Sequence, residues 1–162
     1  MTAKATKLMP EGMHSLTTQL WYNGNCSKAI DFYRKVFRAE VVGDVDYGPD
    51  GKVLHALLRF GDSSVILADA MGNEHERGPE QYATASLYFY VPDSDTTFRE
   101  ATKAGCKIIM PILDAFWGDR TGQIQDPFGH CWSIATHKLD LTREEMRKRQ
   151  EEWFEHHHTV SS

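Results

Sequence analysis

The chain has no long apolar run. No stretch approaches the roughly 20 residues that a membrane-spanning helix needs. Residues 1–11 are polar, hold two lysines and lack an apolar core. They read as a short flexible leader, taken as residues 1–13, and not as a secretory signal. Cysteine is scarce: Cys26, Cys106 and Cys131 form an odd set with no CxxC spacing. That argues against a disulfide framework or a zinc ribbon and predicts reduced thiols in a cytoplasmic protein. Cationic excess is missing too, with 18 Lys and Arg against 23 Asp and Glu and a net charge of −5. Broad electrostatic binding to nucleic acid is therefore not expected. His156-His157-His158 near the end is too short to count as a designed metal site.

What the chain does hold is a repeat. Residues 29–37, an amphipathic run with Phe32 near its centre, lead into Glu40-Val41-Val42. Residues 97–105, with Phe98, lead into Lys107-Ile108-Ile109. Phe32 and Phe98 are 66 positions apart, and so are Leu67 and Ser133 in the final strand of each half. Each run follows an apolar-rich strand and precedes three more strands. A chain of 162 residues that repeats strand–helix–three strands has two half-sheets to build. The natural place for a ligand is between them.

In the first half, a strand over 15–22 ends at Asn23-Gly24-Asn25 and a helix over 27–37 follows. Strands are expected over 40–47, 53–60 and 64–68, the first two joined at Gly48-Pro49-Asp50-Gly51. The Gly- and Pro-bearing stretch 71–82 is the candidate linker between module 14–70 and module 83–138. In the second half, a strand over 85–91 precedes a helix that Gly105 stops. Strands over 106–110, 121–125 and 130–136 follow, with a long loop over 111–120. Thr142-Arg143-Glu144-Glu145 fits a capping box that opens a helix in the segment 139–162.

Several local motifs carry a family likeness: Tyr22-Asn23-Gly24-Asn25-Cys26 with Ala29-Ile30-Asp31-Phe32-Tyr33; residues 54–62; Leu67-Ala68-Asp69-Ala70; and Phe116-Trp117-Gly118 with residues 126–132. On these the chain resembles the vicinal oxygen chelate superfamily of glyoxalase I, extradiol dioxygenases and bleomycin- and fosfomycin-resistance proteins, and within it the PhnB-like branch. The resemblance spans about residues 16–138. It implies an α+β fold: two βαβββ modules forming a curved mixed sheet, here with a C-terminal helix added, and a homodimer as partner state. Arg38 departs from the family, which usually has Gly after the first helix. Some relatives carry a demethylubiquinone methyltransferase label, but no Gly-rich loop follows the first strand here to hold a methyl donor.

The superfamily's metalloenzymes bind one divalent ion through His, Glu or Gln. Carried over, those positions are Thr18 (with Gln19 nearby), Leu67, Ser86 and Ser133. None is an ordinary ligand for a catalytic first-row metal, so no metal or other cofactor is expected. A displaced site remains open. Strand alternation puts His55 and Arg59 on one face, away from Ala56, Leu58 and Phe60. It puts Asp69 with Leu67, so His55 and Asp69 could hold a metal or act as an acid–base pair.

The pocket predicted from this alternation has Gln19, Trp21, His55, Arg59 and Asp69 in the first half. From the second, alternation adds Tyr88, Tyr90 and Gln123, and the loop over 111–120, the sort of segment that covers a site, adds Phe116, Trp117 and Arg120. Aromatic walls with one or two guanidinium groups suit a flat or amphipathic small molecule with an anionic end. Two functions follow. One is a metal-free small-molecule binder that works by sequestration, as the resistance proteins do. The alternative is a lyase, isomerase or dioxygenase with a metal relocated to His55 and Asp69.

Overall fold

The computed structural model describes residues 2–158, except for the side chains of His157 and His158. The last two histidines of the triplet therefore lie outside the described side chains. The chain divides into two compact units, Met1–Pro79 and Glu80–Ser162. The first holds β1 (Thr18–Tyr22), α1 (Cys26–Val36), β2 (Glu40–Tyr47), β3 (Val53–Phe60) and β4 (Ser63–Asp69). The second holds β5 (Ser86–Tyr90), α2 (Ser94–Lys103), β6 (Lys107–Asp114), β7 (Asp119–Gln125), β8 (Cys131–His137) and α3 (Arg143–His158).

Each unit is a βαβββ module with its own four-stranded mixed sheet, ordered β1-β4-β3-β2 or β5-β8-β7-β6. β1 runs parallel to β4 and β5 to β8, while the other pairs are antiparallel. The chemistry of connection explains this. A helical crossover returns the chain parallel to its first strand, whereas short turns can only join antiparallel neighbours.

One face of each sheet is packed by the module's helix. In the first unit Ala29, Ile30, Tyr33 and Val36 of α1 are buried, as are Leu20, Ala56, Leu58, Phe60, Val65 and Leu67 of the sheet. The hydroxyls of Tyr22 and Tyr33 meet at 3.0 Å inside this layer, so neither phenol is buried without a partner. In the second unit Phe98 and Ala101 of α2 are buried, with Ile124, Trp132 and Ile134 beneath. Gly122 is required here by approach: a Cβ would stand 2.6 Å from the Phe98 ring.

Side-chain acceptors fix the helix starts and one turn. Asp69 Oδ1 accepts from the Cys26 amide at 3.0 Å and Oδ2 from Val53 at 2.9 Å. In the second unit Thr136 Oγ1 does the matching job, accepting from the Ser94 amide at 2.8 Å. Asp126 gathers the amides of Phe128 and His130 and the Trp132 indole, closing the Asp126-Pro127-Phe128-Gly129 turn. Arg38 takes φ 57, a left-handed conformation that favours Gly, and donates from Nη1 to the Lys35 carbonyl at 2.9 Å. The helix thus ends on a left-handed residue, and the guanidinium offsets part of the strain by bonding a carbonyl of the last turn.

The long loop expected over 111–120 is a short turn. β6 continues through Pro111 to Asp114, and β7 starts at Asp119. Proline is tolerated there because β6 is the edge strand of its sheet. The turn closes through Ala115 N–H to Asp119 O at 2.7 Å, with Gly118 at φ 100. The capping box at Thr142 forms as expected: the Glu145 carboxylate accepts from the Thr142 amide at 2.8 Å, and Thr142 Oγ1 accepts from the Glu145 amide at 3.2 Å.

Candidate functional site

Register and burial settle which side chains leave the helix-covered face. In the second sheet, Leu87 and Phe89 face α2, with Phe89 against Trp132 at 6.3 Å between ring centroids. Ser86, Tyr88 and Tyr90 therefore point the other way. Cross-strand partners share a face. Tyr88 pairs with Ser133 and Ser133 with Gln123; Tyr90 pairs with Ala135 and Ala135 with Thr121; Asp119 pairs with His137. The open face of β5, β8 and β7 thus carries Tyr88, Tyr90, Ser133, His137, Asp119, Thr121 and Gln123.

Asp119 organises that face. It is only 2% exposed. Its Oδ2 accepts from the hydroxyls of Tyr88 at 2.8 Å and Tyr90 at 2.9 Å, and from the Trp117 indole at 3.1 Å. Its Oδ1 lies 2.7 Å from His137 Nδ1, and His137 Nε2 lies 3.0 Å from Asp140. Burial alone would push the Asp119 carboxyl up. The donors from His137, Tyr88, Tyr90 and Trp117 together outweigh that and hold it below the usual carboxylate range. The same bond to Asp119, with burial behind it, pushes Tyr90 up to about 12. Burial first, then Asp119, raises Tyr88, against a lowering contribution from the Trp117 indole. Asp119 first and Asp140 second raise His137. The rings themselves stay accessible, Tyr88 at 45% and Tyr90 at 58% exposure. They form a shelf, their centroids 5.2 Å apart.

A pH dependence follows from His137. A raised folded-state pKa means that the native state holds the proton more tightly. The stabilisation is full below the ordinary value of 6.5 and is lost as pH rises through the raised one. The urea midpoint of the protein should fall as pH rises above about 6.5, and His137→Gln should flatten that step. An unchanged step in the variant would rule His137 out as its source.

In the first sheet, Gln19 and Trp21 of β1 and His55 and Arg59 of β3 share the face away from α1, with Ile66 between them. His55 lies 3.9 Å from Asp46, both well exposed. Asp69 is a correction. Strand alternation alone sets it beside His55, but Leu67 pairs with both Leu20 and Ala56, which puts Leu67 and Asp69 on the α1 side. Asp69 is 2% exposed, and its two oxygens hold the Cys26 and Val53 amides. The spacing of 66 misled here: on its face Ser133 matches Ile66, and Leu67 matches Ile134.

Arg120 is the second correction. It faces α2, where Nη2 donates to Asp95 Oδ1 at 2.8 Å and Nη1 to Asp114 at 3.1 Å. β7 begins two residues earlier than expected, so Arg120 alternates with Asp119 instead of closing a loop. That guanidinium is therefore not on the open face to meet an anionic end of a ligand. Phe116 packs against Trp117 at 4.9 Å and against Trp153 of α3 at 6.2 Å. It lines a groove of about 310 Å³ with Arg149, Trp153 and His156. The residues missed by sequence were Asp119, Thr121 and His137. The alternation of Asp119, Thr121, Gln123 and Gln125 against Gly122 and Ile124 was the available signal. Cys131 also lies on the open face, but burial, followed by Asp126, raises its thiol, which disfavours the nucleophilic thiolate.

Residues 17–134 match the sequence profile of the Glyoxalase/Bleomycin resistance protein/Dioxygenase superfamily. The chain belongs to this superfamily. A Mycobacterium bovis protein is 35% identical over 128 residues, covering 76% of this chain and 84% of its own. Among solved structures, the PhnB protein of Bacillus cereus is similar at TM-score 0.63 and 22% identity, covering 76% of this chain and 99% of that one. TioX from Micromonospora is similar at TM-score 0.61 and 24% identity, covering 77% and 99%. These structural likenesses speak for the fold alone.

The divalent ion of the superfamily's metalloenzymes does not fit the residues present. Leu67 has no lone pair and is fully buried toward α1, and its open-face neighbour Ile66 has none either. The Ser86 and Ser133 hydroxyls lie 3.4 Å from one another. Neither offers the imidazole, carboxylate or thiolate such an ion prefers. Among the described residues no group of three or more His, Cys, Asp or Glu is placed to hold a metal. No helix among them is long and apolar enough to cross a membrane.

Proposed function

We propose that this superfamily member binds a small molecule on the open face of its second sheet, by shape and aromatic contact, and serves to sequester it. The observation that carries this is Asp119: one buried carboxylate fixes four side chains, and two of them are exposed phenol rings. Ordering exposed aromatic rings costs side-chain entropy, which a ligand-binding surface recovers by being preorganised. Gln123, half-buried on the same face, supplies a polar contact beside the shelf. The alternative of a relocated metal at His55 and Asp69 lacks support, since the two stand on opposite faces of the sheet with Asp69 fully engaged. A homodimer in the cytoplasm, as the family likeness and the thiols suggest, belongs to the same reading. Light scattering at twice the 18.5 kDa chain mass would support the dimer.

A thermal-shift screen of planar aromatic compounds tests the binding site. A compound that binds the native state raises the transition by mass action. Hits should disappear in the Tyr88→Ala/Tyr90→Ala double variant and persist in His55→Ala. Hits lost only in His55→Ala would move the site to the first sheet. A screen in which nothing raises the transition would defeat the binding reading.

A further inference from the structure

We infer that the shelf takes a planar cation: a positively charged aromatic or heteroaromatic ring laid over Tyr88 and Tyr90, with its charge near Asp119. This rests on the reading above and adds the sign of the ligand's charge. Arg120 is turned to the α2 side and held by Asp95 and Asp114. Lys138 also acts on Asp95. Lys107 pairs with Gln125, at the opposite end of β7 from Asp119. Six residues of strand separate those ends by roughly 20 Å, about two Debye lengths in physiological salt.

Among the described residues, His137 is the cationic side chain in hydrogen-bonding contact with Asp119, and it is shared. Its second nitrogen faces Asp140, so even the protonated ring stands between two carboxylates. One negative charge stays unmatched. The phenols reinforce it. A tyrosine that donates to an ionised carboxylate gains electron density, and its ring face attracts a cation more strongly. Trp117 adds a third π-system, with its N–H shared between Asp119 and the Tyr88 oxygen.

Thr121 is an independent mark of an unfinished site. It shares the face of Asp119 and Gln123 and is 1% exposed. Its Oγ1 is close enough to the Tyr88 hydroxyl to act on that phenol, yet makes no well-formed hydrogen bond. Native proteins rarely leave a buried hydroxyl unpaired, because the desolvation is costly. A small movement of the Tyr88 ring over a ligand would open this oxygen to an N–H of the bound cation.

Three planar tricyclic probes of different charge test this at about pH 8: proflavine as cation, acridine as neutral ring and 9-anthracenecarboxylate as anion. Quenching of tryptophan fluorescence reads their affinities. Proflavine should bind about tenfold tighter than acridine, and the anion most weakly, as an aromatic shelf backed by an unmatched carboxylate requires. Asp119→Asn should bring proflavine and acridine to within about twofold. If that variant does not fold, raising the salt on the wild-type protein should shrink the same preference. Equal binding of the three, or tightest binding of the anion, overturns the cation inference and leaves the shelf standing. Failure of all three to bind overturns the shelf itself.

Discussion

Asp119→Asn will let Tyr90 ionise near the ordinary tyrosine value of 10 instead of about 12. The largest cause of the present value is the hydrogen bond to a carboxylate. Taking the phenol proton would leave two negative oxygens 2.9 Å apart. Asparagine keeps the shape and one acceptor but removes the charge, so the repulsion goes. Tyr88 should move less, because burial leads among its causes and the substitution leaves it buried. An NMR titration with tyrosine labelled at Cζ separates the two rings. A Tyr90 that still ionises near 12 in the variant would show that Asp119 does not govern the shelf. Asp119→Ala, which removes the acceptors as well, should destabilise the protein by about 2 kcal/mol. The figure is modest for four lost bonds because Tyr88, Tyr90 and His137 are about half exposed and can turn their donors to water.

The architecture was legible because its signals are local and repeated. Three- and four-residue apolar spacing marked α1, and the alternation in β3 separated His55 and Arg59 from Ala56, Leu58 and Phe60 as burial now does. The candidate site was less legible, for three physical reasons. Where a strand ends depends on long-range backbone bonds: Ala115 N–H to Asp119 O draws β7 two residues further back and decides which way Arg120 points. A repeat spacing cannot register a one-residue offset between β4 and β8, yet one residue moves a side chain to the other face. That offset put Leu67 and Asp69 on the wrong side. Finally, Asp119 and His137 are 18 residues apart and carry no shared motif. Only the pairing of β7 with β8 brings them together.

The largest loss of stability should come from Asp69→Ala, at about 3 to 4 kcal/mol. Both oxygens of Asp69 accept from backbone amides within the core, Cys26 at the first turn of α1 and Val53 at the start of β3. Alanine offers neither acceptor, and at 2% exposure water has little room to replace them. Each orphaned amide then costs roughly 1–3 kcal/mol. For a chain of this size the midpoint of thermal unfolding should fall by about 10 °C. Asp69→Asn should recover little, because its amide nitrogen would meet one N–H donor to donor. His55→Ala should stay within about 0.5 kcal/mol, since the ring is half exposed and its contact with Asp46 spans 3.9 Å. Hydrogen exchange gives the local reading: in Asp69→Asn the amides of Cys26 and Val53 should lose protection ahead of the rest of the first unit. If the two aspartate variants were as stable as His55→Ala and differed only in activity, Asp69 would be a working group of the site and its place as the anchor of α1 would have to be given up.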